Sequence, residues 1–454
     1  MALARIFSRE TGTIGHLLRG GRMAWHCFRW LYSLLITLLL PFIFLRLWLR
    51  GFSLPAYRLR WAERLGFVPF PPMDNLIWVH AVSVGEVISA IPLIKGLLLQ
   101  HPTASLLVTT TTPTGSERVQ VAFKDILGKR IYHCYLPYDF PFAFNNFFSR
   151  LKTKLLIVME TELWPNLLHN CYRRNIPVVI INGRLSPVSV KRYRWLGTMM
   201  KEMSRPIQKV AAQSEIDKKR FISLGFDAHK VSNTGNIKFD FELPAYLPQE
   251  GEKLRHLLGQ ERFVWIAAST HEGEESAVLK VYQALKTQFP KVLLFLVPRH
   301  PDRFEKVASL CEDAGLHIKR RSKKQMPEPN TDVYLGDTMG ELPLFYAASD
   351  LAFVGGSLQP IGGHNLLEPA ALGLPVLTGP HLFNFVEISQ KLVIAGGTVI
   401  VQDALALEQQ LKILIADTHK RQELGQNAKA VVQNNKGALE KVLTLLKQKM
   451  EDAK

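Results

Sequence analysis

The chain has 454 residues, 47% of them apolar, and a formal charge of +17 at pH 7. That length accommodates two domains with separate cores, and that composition excludes a disordered chain. The charge points to an anionic partner, but no aromatic-interleaved basic motif marks a nucleic-acid module, so anionic lipid or a phosphorylated substrate is expected and nucleic acid is not.

Residues 1–30 form a basic extension, with Arg5, Arg9, Arg19, Arg22 and Arg29 against the single acid Glu10. It reads as a tail or an amphipathic surface helix, and Met23 offers an alternative start. Residues 31–50 read as a membrane anchor. No charge occurs from Leu31 to Leu45, and Leu47-Trp48-Leu49 extends the run past Arg46. A span needs roughly 20 apolar residues, and Pro41 interrupts this one. Arg46 and Arg50 can snorkel, and Trp30 and Trp48 suit an aromatic belt. A cleaved signal peptide would need a small-residue cleavage site, which does not follow. A buried soluble helix is the bland alternative. Arginines at both ends leave the orientation open.

Strand and helix patterns then alternate, which predicts parallel sheets. In a first domain, residues 51–236, strands are expected at 76–80, 106–110, 155–159, 177–181 and 210–213. Ligands in such sheets bind beyond the carboxyl ends of strands, where Glu86, Glu160 and Arg184 fall. The rhythm breaks near Pro244 and Pro248, which marks the link. In a second domain, residues 237–454, strands are expected at 263–268, 292–297, 333–335 and 351–354. Ser269 or Thr270 is expected to cap the helix after the first of these, with Glu272-Gly273-Glu274-Glu275 as its solvated first turn. Residues 405–447 read as mostly helical. The four cysteines, Cys27, Cys134, Cys171 and Cys311, lack metal-ligand spacing and read as free thiols in a reducing compartment.

The stretch that carries most chemistry runs from Gly355-Gly356-Ser357 through Gly362-Gly363-His364-Asn365-Leu366-Leu367-Glu368 to Gly373-Leu374-Pro375-Val376. Glycine permits close backbone approach to a ligand. Asn365 is a candidate helix cap beside which anions gather, and Glu368 could accept hydrogen bonds from ribose hydroxyls. A plain strand–turn–helix unit with chance glycines is the bland reading. His364 could bond phosphate or be structural. Glu86 is a candidate general base whose place at a helix start should favour its ionised form, or a mere capping glutamate. Lys238 and Arg299 are candidates to neutralise phosphate or carboxylate, or surface ion pairs. Glu162 could pair with Arg184. No Asp-X-Asp, zinc-protease or phosphate-loop motif occurs, so no cofactor and no metal are expected; Asp240-Phe241-Glu242 is the nearest approach to the first.

Seven blocks resemble one family. They are His80-Ala81-Val82-Ser83-Val84-Gly85-Glu86, Glu160-Thr161-Glu162-Leu163-Trp164-Pro165-Asn166, Asn182-Gly183-Arg184-Leu185-Ser186, Gly235-Asn236-Ile237-Lys238-Phe239-Asp240, Pro298-Arg299-His300-Pro301, Gly336-Asp337-Thr338-Met339-Gly340-Glu341-Leu342, and Glu368-Pro369-Ala370-Ala371-Leu372-Gly373-Leu374-Pro375-Val376. In that order they resemble the transferases of 3-deoxy-D-manno-octulosonic acid (Kdo) in lipid A assembly. The resemblance implies an α/β chain of two Rossmann-like domains, GT-B type, with an N-terminal membrane-anchoring helix. It implies inverting transfer from CMP-Kdo to a lipid A precursor at the cytoplasmic side of the inner membrane. It implies catalytic roles for Glu86, Glu160 and Lys238. It places the nucleotide on Pro298, Arg299, Met339, Gly340, Glu341, Asn365, Leu366, Leu367 and Glu368. The long basic segment before the apolar run departs from the family pattern. Two rival readings are another GT-B enzyme, such as a nucleotide-sugar 2-epimerase or a different lipid glycosyltransferase, and a non-catalytic protein that binds anionic lipid.

Overall fold

The computed structural model of the chain describes residues 21–451. The expectations for residues 1–20 lie outside them. Two compact units form: one runs to Asp240 and resumes at Gly437, and the other is Phe241–Lys436.

The first unit is built on β1 (Met73–His80), β2 (Leu106–Thr110), β3 (Ile131–Tyr135), β4 (Leu151–Met159), β5 (Val178–Gly183), β6 (Ile207–Ala212) and β7 (Val231–Asn233). All seven pair in parallel, in the order β3-β2-β1-β4-β5-β6-β7. Apolar β-rich runs covered on both faces make such a sheet. Leu76 and Trp78 of β1 feed the core on one face, and Ile77 and Val79 that on the other. The strand order reverses between β1 and β4, so a crevice is expected beyond the ends of those two strands.

The second unit holds β8 (Phe263–Thr270), β9 (Val292–Pro298), β10 (Ile318–Arg320), β11 (Val333–Leu335), β12 (Leu351–Val354), β13 (Val376–Thr378) and β14 (Thr398–Ile400). This sheet is also parallel, in the order β10-β11-β9-β8-β12-β13-β14, and reverses between β8 and β12. The two Rossmann-like sheets agree with the fold the sequence implies.

Two boundaries differ from the sequence reading. The second domain was expected to keep the terminal helices, but the last helix, Ala438–Glu451, belongs to the first unit. Its stripe of Ala438, Val442, Leu446 and Met450 closes one face of the first sheet. Asp240 caps it by accepting from the Gly437 and Leu439 N–H groups at 2.5 and 2.7 Å. That is the role of the Asp240-Phe241-Glu242 run. The stripe at i, i+4, i+8 and i+12 required a partner surface but did not say which one.

The N-terminal helix spans Gly21–Arg50 and takes in part of the segment read as extension. It is not an appendage to the αβ core. Trp25 joins the first unit's core, and Ile36 packs with Phe140 and Ala143. Arg29 donates to Asn166 Oδ1 at 3.0 Å, and Asn166 Nδ2 donates to Ser33 Oγ at 2.9 Å.

Candidate functional site

In the first unit the chemistry gathers beyond β1 and β4. Ser83 caps the Val84–Gln100 helix and accepts from the Glu86 N–H at 3.4 Å. The Glu86 carboxyl reaches back and accepts from the Val82 N–H at 2.8 Å and from Ser83 Oγ at 3.0 Å. These reciprocal bonds are a capping box, so the capping contacts are made. They do not leave an ordinary surface glutamate, because Glu86 is 8% exposed. Burial first, then the charge of Glu160, pushes its carboxyl from 4.5 up to about 8. This corrects the expectation of an ionised Glu86. The helix dipole contributes about 0.3–1 kcal/mol, whereas a shift of that size corresponds to several kcal/mol against the charged form.

Glu160 follows β4 with φ of 54°, a left-handed conformation that costs a non-glycine residue on the order of 1 kcal/mol or more. There its Oε1 accepts from Lys238 Nζ at 3.0 Å. Lys238 is delivered by a buried amide network. Asn182 Oδ1 accepts from the Ile237 N–H at 3.0 Å, Asn236 Nδ2 donates to Gln213 Oε1 at 3.2 Å, and Gln213 Nε2 donates to the Asn182 carbonyl at 3.0 Å. Asn182 also has a left-handed φ, 57°. Glu86, Glu160 and Lys238 are thus brought together at the reversal of strand order. Glu162 does not pair with Arg184. Its Oε2 accepts from Trp164 Nε1 at 2.6 Å, while the Arg184 carbonyl accepts from Thr161 Oγ1.

In the second unit the groups gather beyond β8, β9 and β12. The Glu272–Glu275 run is solvated only in its first half, at Glu272 and Gly273. The helix begins at Glu274, capped by neither Ser269 nor Thr270, and Glu274 and Glu275 are fully buried. Glu274 accepts from four backbone N–H groups: His271 at 3.0 Å, Gly356 at 2.7 Å, and Ser357 and Leu358 at 2.9 Å each. It therefore holds the glycine turn after β12 against the loop after β8. A Cβ on Gly355 would meet Glu274 Oε2 at 2.8 Å, so that glycine is needed for the carboxylate to fit. Glu275 pairs with Arg303 at 3.1 Å. In sequence, a glutamate run at a helix start has no feature that separates a buried clamp from a wet turn.

His364 meets His271 with Nε2 to Nε2 at 2.8 Å and parallel rings. Burial and the neighbouring His271 lower His364 to about 3, so it is neutral at pH 7. The short Leu367–Ala371 helix has Leu366, not Asn365, at its N-cap; Asn365 lies one residue earlier, where its Oδ1 accepts from the Leu367 N–H at 3.1 Å and its Nδ2 donates to Glu368 Oε1 at 3.0 Å. Burial raises Glu368. Leu366 and Leu367 are buried, which keeps their side chains from a ligand, and the Leu366 carbonyl accepts from the Ala370 N–H at 3.3 Å. Pro298 ends β9, and the Arg299 N–H donates to the Thr270 carbonyl at 3.0 Å, leaving the Arg299 side chain exposed. Met339 is exposed, and Gly340 turns the chain with φ of 85°. Glu341 is held by Arg321 at 2.6 Å and by Thr338 Oγ1 at 2.5 Å. Among the described residues, no group of three or more His, Cys, Asp or Glu side chains could hold a metal. The four cysteines are free, Cys27 exposed and the others buried.

Two parallel sheets, each with polar groups beyond its reversal of strand order, are the architecture of a GT-B-like fold. Residues 252–431 match the model for glycosyl transferases group 1, and residues 59–241 match that for 3-deoxy-D-manno-octulosonic-acid transferase (kdotransferase). The chain is 45% identical over 427 residues to the 3-deoxy-D-manno-octulosonic acid transferase of Haemophilus influenzae, which covers 93% of this chain and 99% of that one. It is 36% identical to the transferase of the same name from Bordetella pertussis, over 92% and 98% of the two chains. The chain belongs to the Kdo transferases. A solved UDP-GlcNAc 2-epimerase from Neisseria meningitidis, 18% identical with a TM-score of 0.52 over 83% of this chain and 100% of that one, shares the fold alone.

Proposed function

We propose that this enzyme transfers Kdo from CMP-Kdo to a lipid A precursor, by direct displacement with inversion and with Glu86 as base. The observation that carries this reading is the state of Glu86. It is a buried carboxyl raised to about 8 beside a second carboxylate, Glu160, at the reversal of strand order in the first sheet. A base works best with a pKa near the working pH, and a proton acceptor in this setting meets that condition. The acceptor hydroxyl attacks the anomeric carbon of Kdo and its proton passes to Glu86. The bond from that carbon to the phosphate oxygen breaks, and CMP leaves with the electron pair.

Lys238, positioned by the Asn182–Gln213–Asn236 network and paired with Glu160, supplies positive charge for the Kdo carboxylate or the departing phosphate. Arg299, exposed beyond β9, is assigned to phosphate. The peptide groups around Met339–Glu341 and Asn365–Leu367, with the Glu368 carboxylate, are assigned to the nucleotide. No metal is assigned a part. The enzyme works at the inner membrane with both units on the cytoplasmic side; the N-terminal helix is long and apolar enough to reach lipid. CMP release from CMP-Kdo, measured with and without a lipid A precursor, tests the reading. Acceptor-dependent release supports it, and release that ignores the acceptor contradicts it.

A further inference from the structure

The N-terminal helix presents two different faces along its whole length. One face is docked on the first unit: Ala24, Trp25, Arg29, Ser33, Ile36 and Leu47 are buried at helical spacing, and Phe44 meets Trp61 and Tyr138. The docked stretch from Trp25 to Leu47 is about 33 Å long at 1.5 Å per residue, against a hydrocarbon core of about 30 Å. The opposite face, with Trp30, Leu34, Leu38, Phe42, Leu45 and Trp48, is an unbroken apolar ridge open to the surroundings.

A helix docked in this way cannot stand across a bilayer without carrying its partner surface into hydrocarbon. That surface is polar in part and carries exposed charge, Arg173 at the end of the Pro165–Arg173 helix and Lys201 on the Thr198–Met203 helix, both of which helices pack against the N-terminal one. Asn166 and Asp139 anchor Arg29, Ser33 and Tyr32 along the stripe. The Glu202–Arg205 pair lies near its first turns, and Arg58 stacks on Trp48 at its end. Unpaired charge and open backbone are not tolerated at membrane depth. The surroundings of the ridge are basic instead. Arg46 and Arg50 are exposed on the helix. The Pro187–Arg194 helix, whose Tyr193 is within electrostatic reach of Tyr32, exposes Lys191, Arg192, Arg194 and, just past its end, Trp195. An apolar ridge flanked by arginine, lysine and tryptophan has the chemistry of an interfacial helix on anionic lipid.

We propose that the N-terminal helix lies in the plane of one lipid leaflet, its ridge sunk to the headgroup boundary and its other face seated on the first unit, and does not cross the bilayer. The inference rests on the membrane reading above but needs no turnover to be tested. The full chain, with Cys27→Ser and one new cysteine from either Met23→Cys or Asp74→Cys, is bound to sealed vesicles of phosphatidylethanolamine and phosphatidylglycerol. Both positions are exposed, and the remaining native cysteines are buried. A membrane-impermeant maleimide should label both positions equally without detergent. Labelling at 23 that needs detergent overturns the proposal, as does failure to bind the vesicles. A dye on Leu38→Cys should be quenched at least twofold more by lipid brominated near the headgroup than by lipid brominated near the chain end; the reverse order indicates a spanning helix. Protection of that dye without lipid, in a protein that sediments as a dimer, would make the ridge a contact between copies and also overturn it. The variant Leu34→Asp, Leu38→Asp, Phe42→Asp should lose vesicle binding more than tenfold while keeping its melting temperature and CMP affinity. Unchanged vesicle binding contradicts the proposal, whereas absent Kdo transfer with these results intact strikes only the activity.

Discussion

Replacing Glu274 with glutamine should loosen the glycine turn of the second unit. The carboxylate presents two oxygens to four backbone N–H groups, two to each oxygen. Glutamine retains one such oxygen and turns an NH2 group toward the other two donors. Two charge-assisted bonds are lost at about 1.5–3 kcal/mol each, about 3–6 kcal/mol together. Glutamine preserves the volume, so no cavity term enters. At roughly 2–4 °C per kcal/mol for a unit of this size, melting should fall on the order of 10 °C. CMP affinity should fall about tenfold or more, because the turn from Gly355 leads into the Asn365–Glu368 segment. Glu272, whose side chain is 89% exposed, is the matched control, and Glu272→Gln should stay within about 0.5 kcal/mol. Differential scanning calorimetry and calorimetric titration with CMP read both effects. A Glu274→Gln protein that melts and binds CMP like the parent would refute the clamp.

Other outcomes follow from the same geometry. Glu368→Ala should weaken CMP binding about tenfold or more, through loss of a charge-assisted acceptor; equal affinity in a folded variant removes Glu368 from the site. Lys238→Met should lower turnover by more than it weakens CMP binding, since Lys238 lies in the first unit and the residues assigned to the nucleotide in the second; a loss confined to CMP affinity contradicts its assignment. The pH dependence has a definite sign. Glu86 titrates near 8 when folded and near 4.5 when unfolded, so the stability it contributes is present below about 4.5 and is lost as pH rises through about 8. The melting temperature of Glu86→Gln minus that of the parent should therefore widen from pH 5 to pH 9, and a constant offset contradicts the buried carboxyl. Deleting residues 1–50 should destabilise the first unit, because it uncovers Phe140, Ala143 and Asn166; an unchanged melting temperature means the docked face contributes little.

The parts legible in sequence were those with strong local signals. β1, β2, β4, β8 and β12 are apolar runs bounded by turns and were placed to within a few residues. β3, β7, β10 and β14 were missed. Three of these four have only three residues, and β3, β7, β10 and β14 are the outermost strands of their sheets. A short edge strand buries little and leaves little pattern. Glu86, Glu160 and Lys238 were legible as residues at strand ends. The positions that assemble them were not, because Asn182 and Gln213 act through contacts between segments 31 residues apart. Glu274 was misread for a related reason. An acidic first turn is expected at any helix start, and only the tertiary position of Gly356–Leu358 turns this one into a buried clamp. The N-terminal helix was legible as apolar but not as two-faced, because its open side is apolar like a buried one, while its docked side mixes Trp25, Ile36 and Leu47 with Arg29 and Ser33.

The measurement that bears most directly on the account is turnover of Glu86→Gln, with lipid A precursor as acceptor and CMP release as readout. Glutamine can keep the bonds to the Val82 N–H and Ser83 Oγ but cannot take the acceptor's proton. Turnover is expected to fall by roughly 10²–10⁴-fold, with CMP affinity unchanged and melting temperature at pH 8 equal to the parent's or higher. Turnover within a few-fold of the parent's in that variant would contradict the assignment of Glu86 as the base and leave it a capping residue.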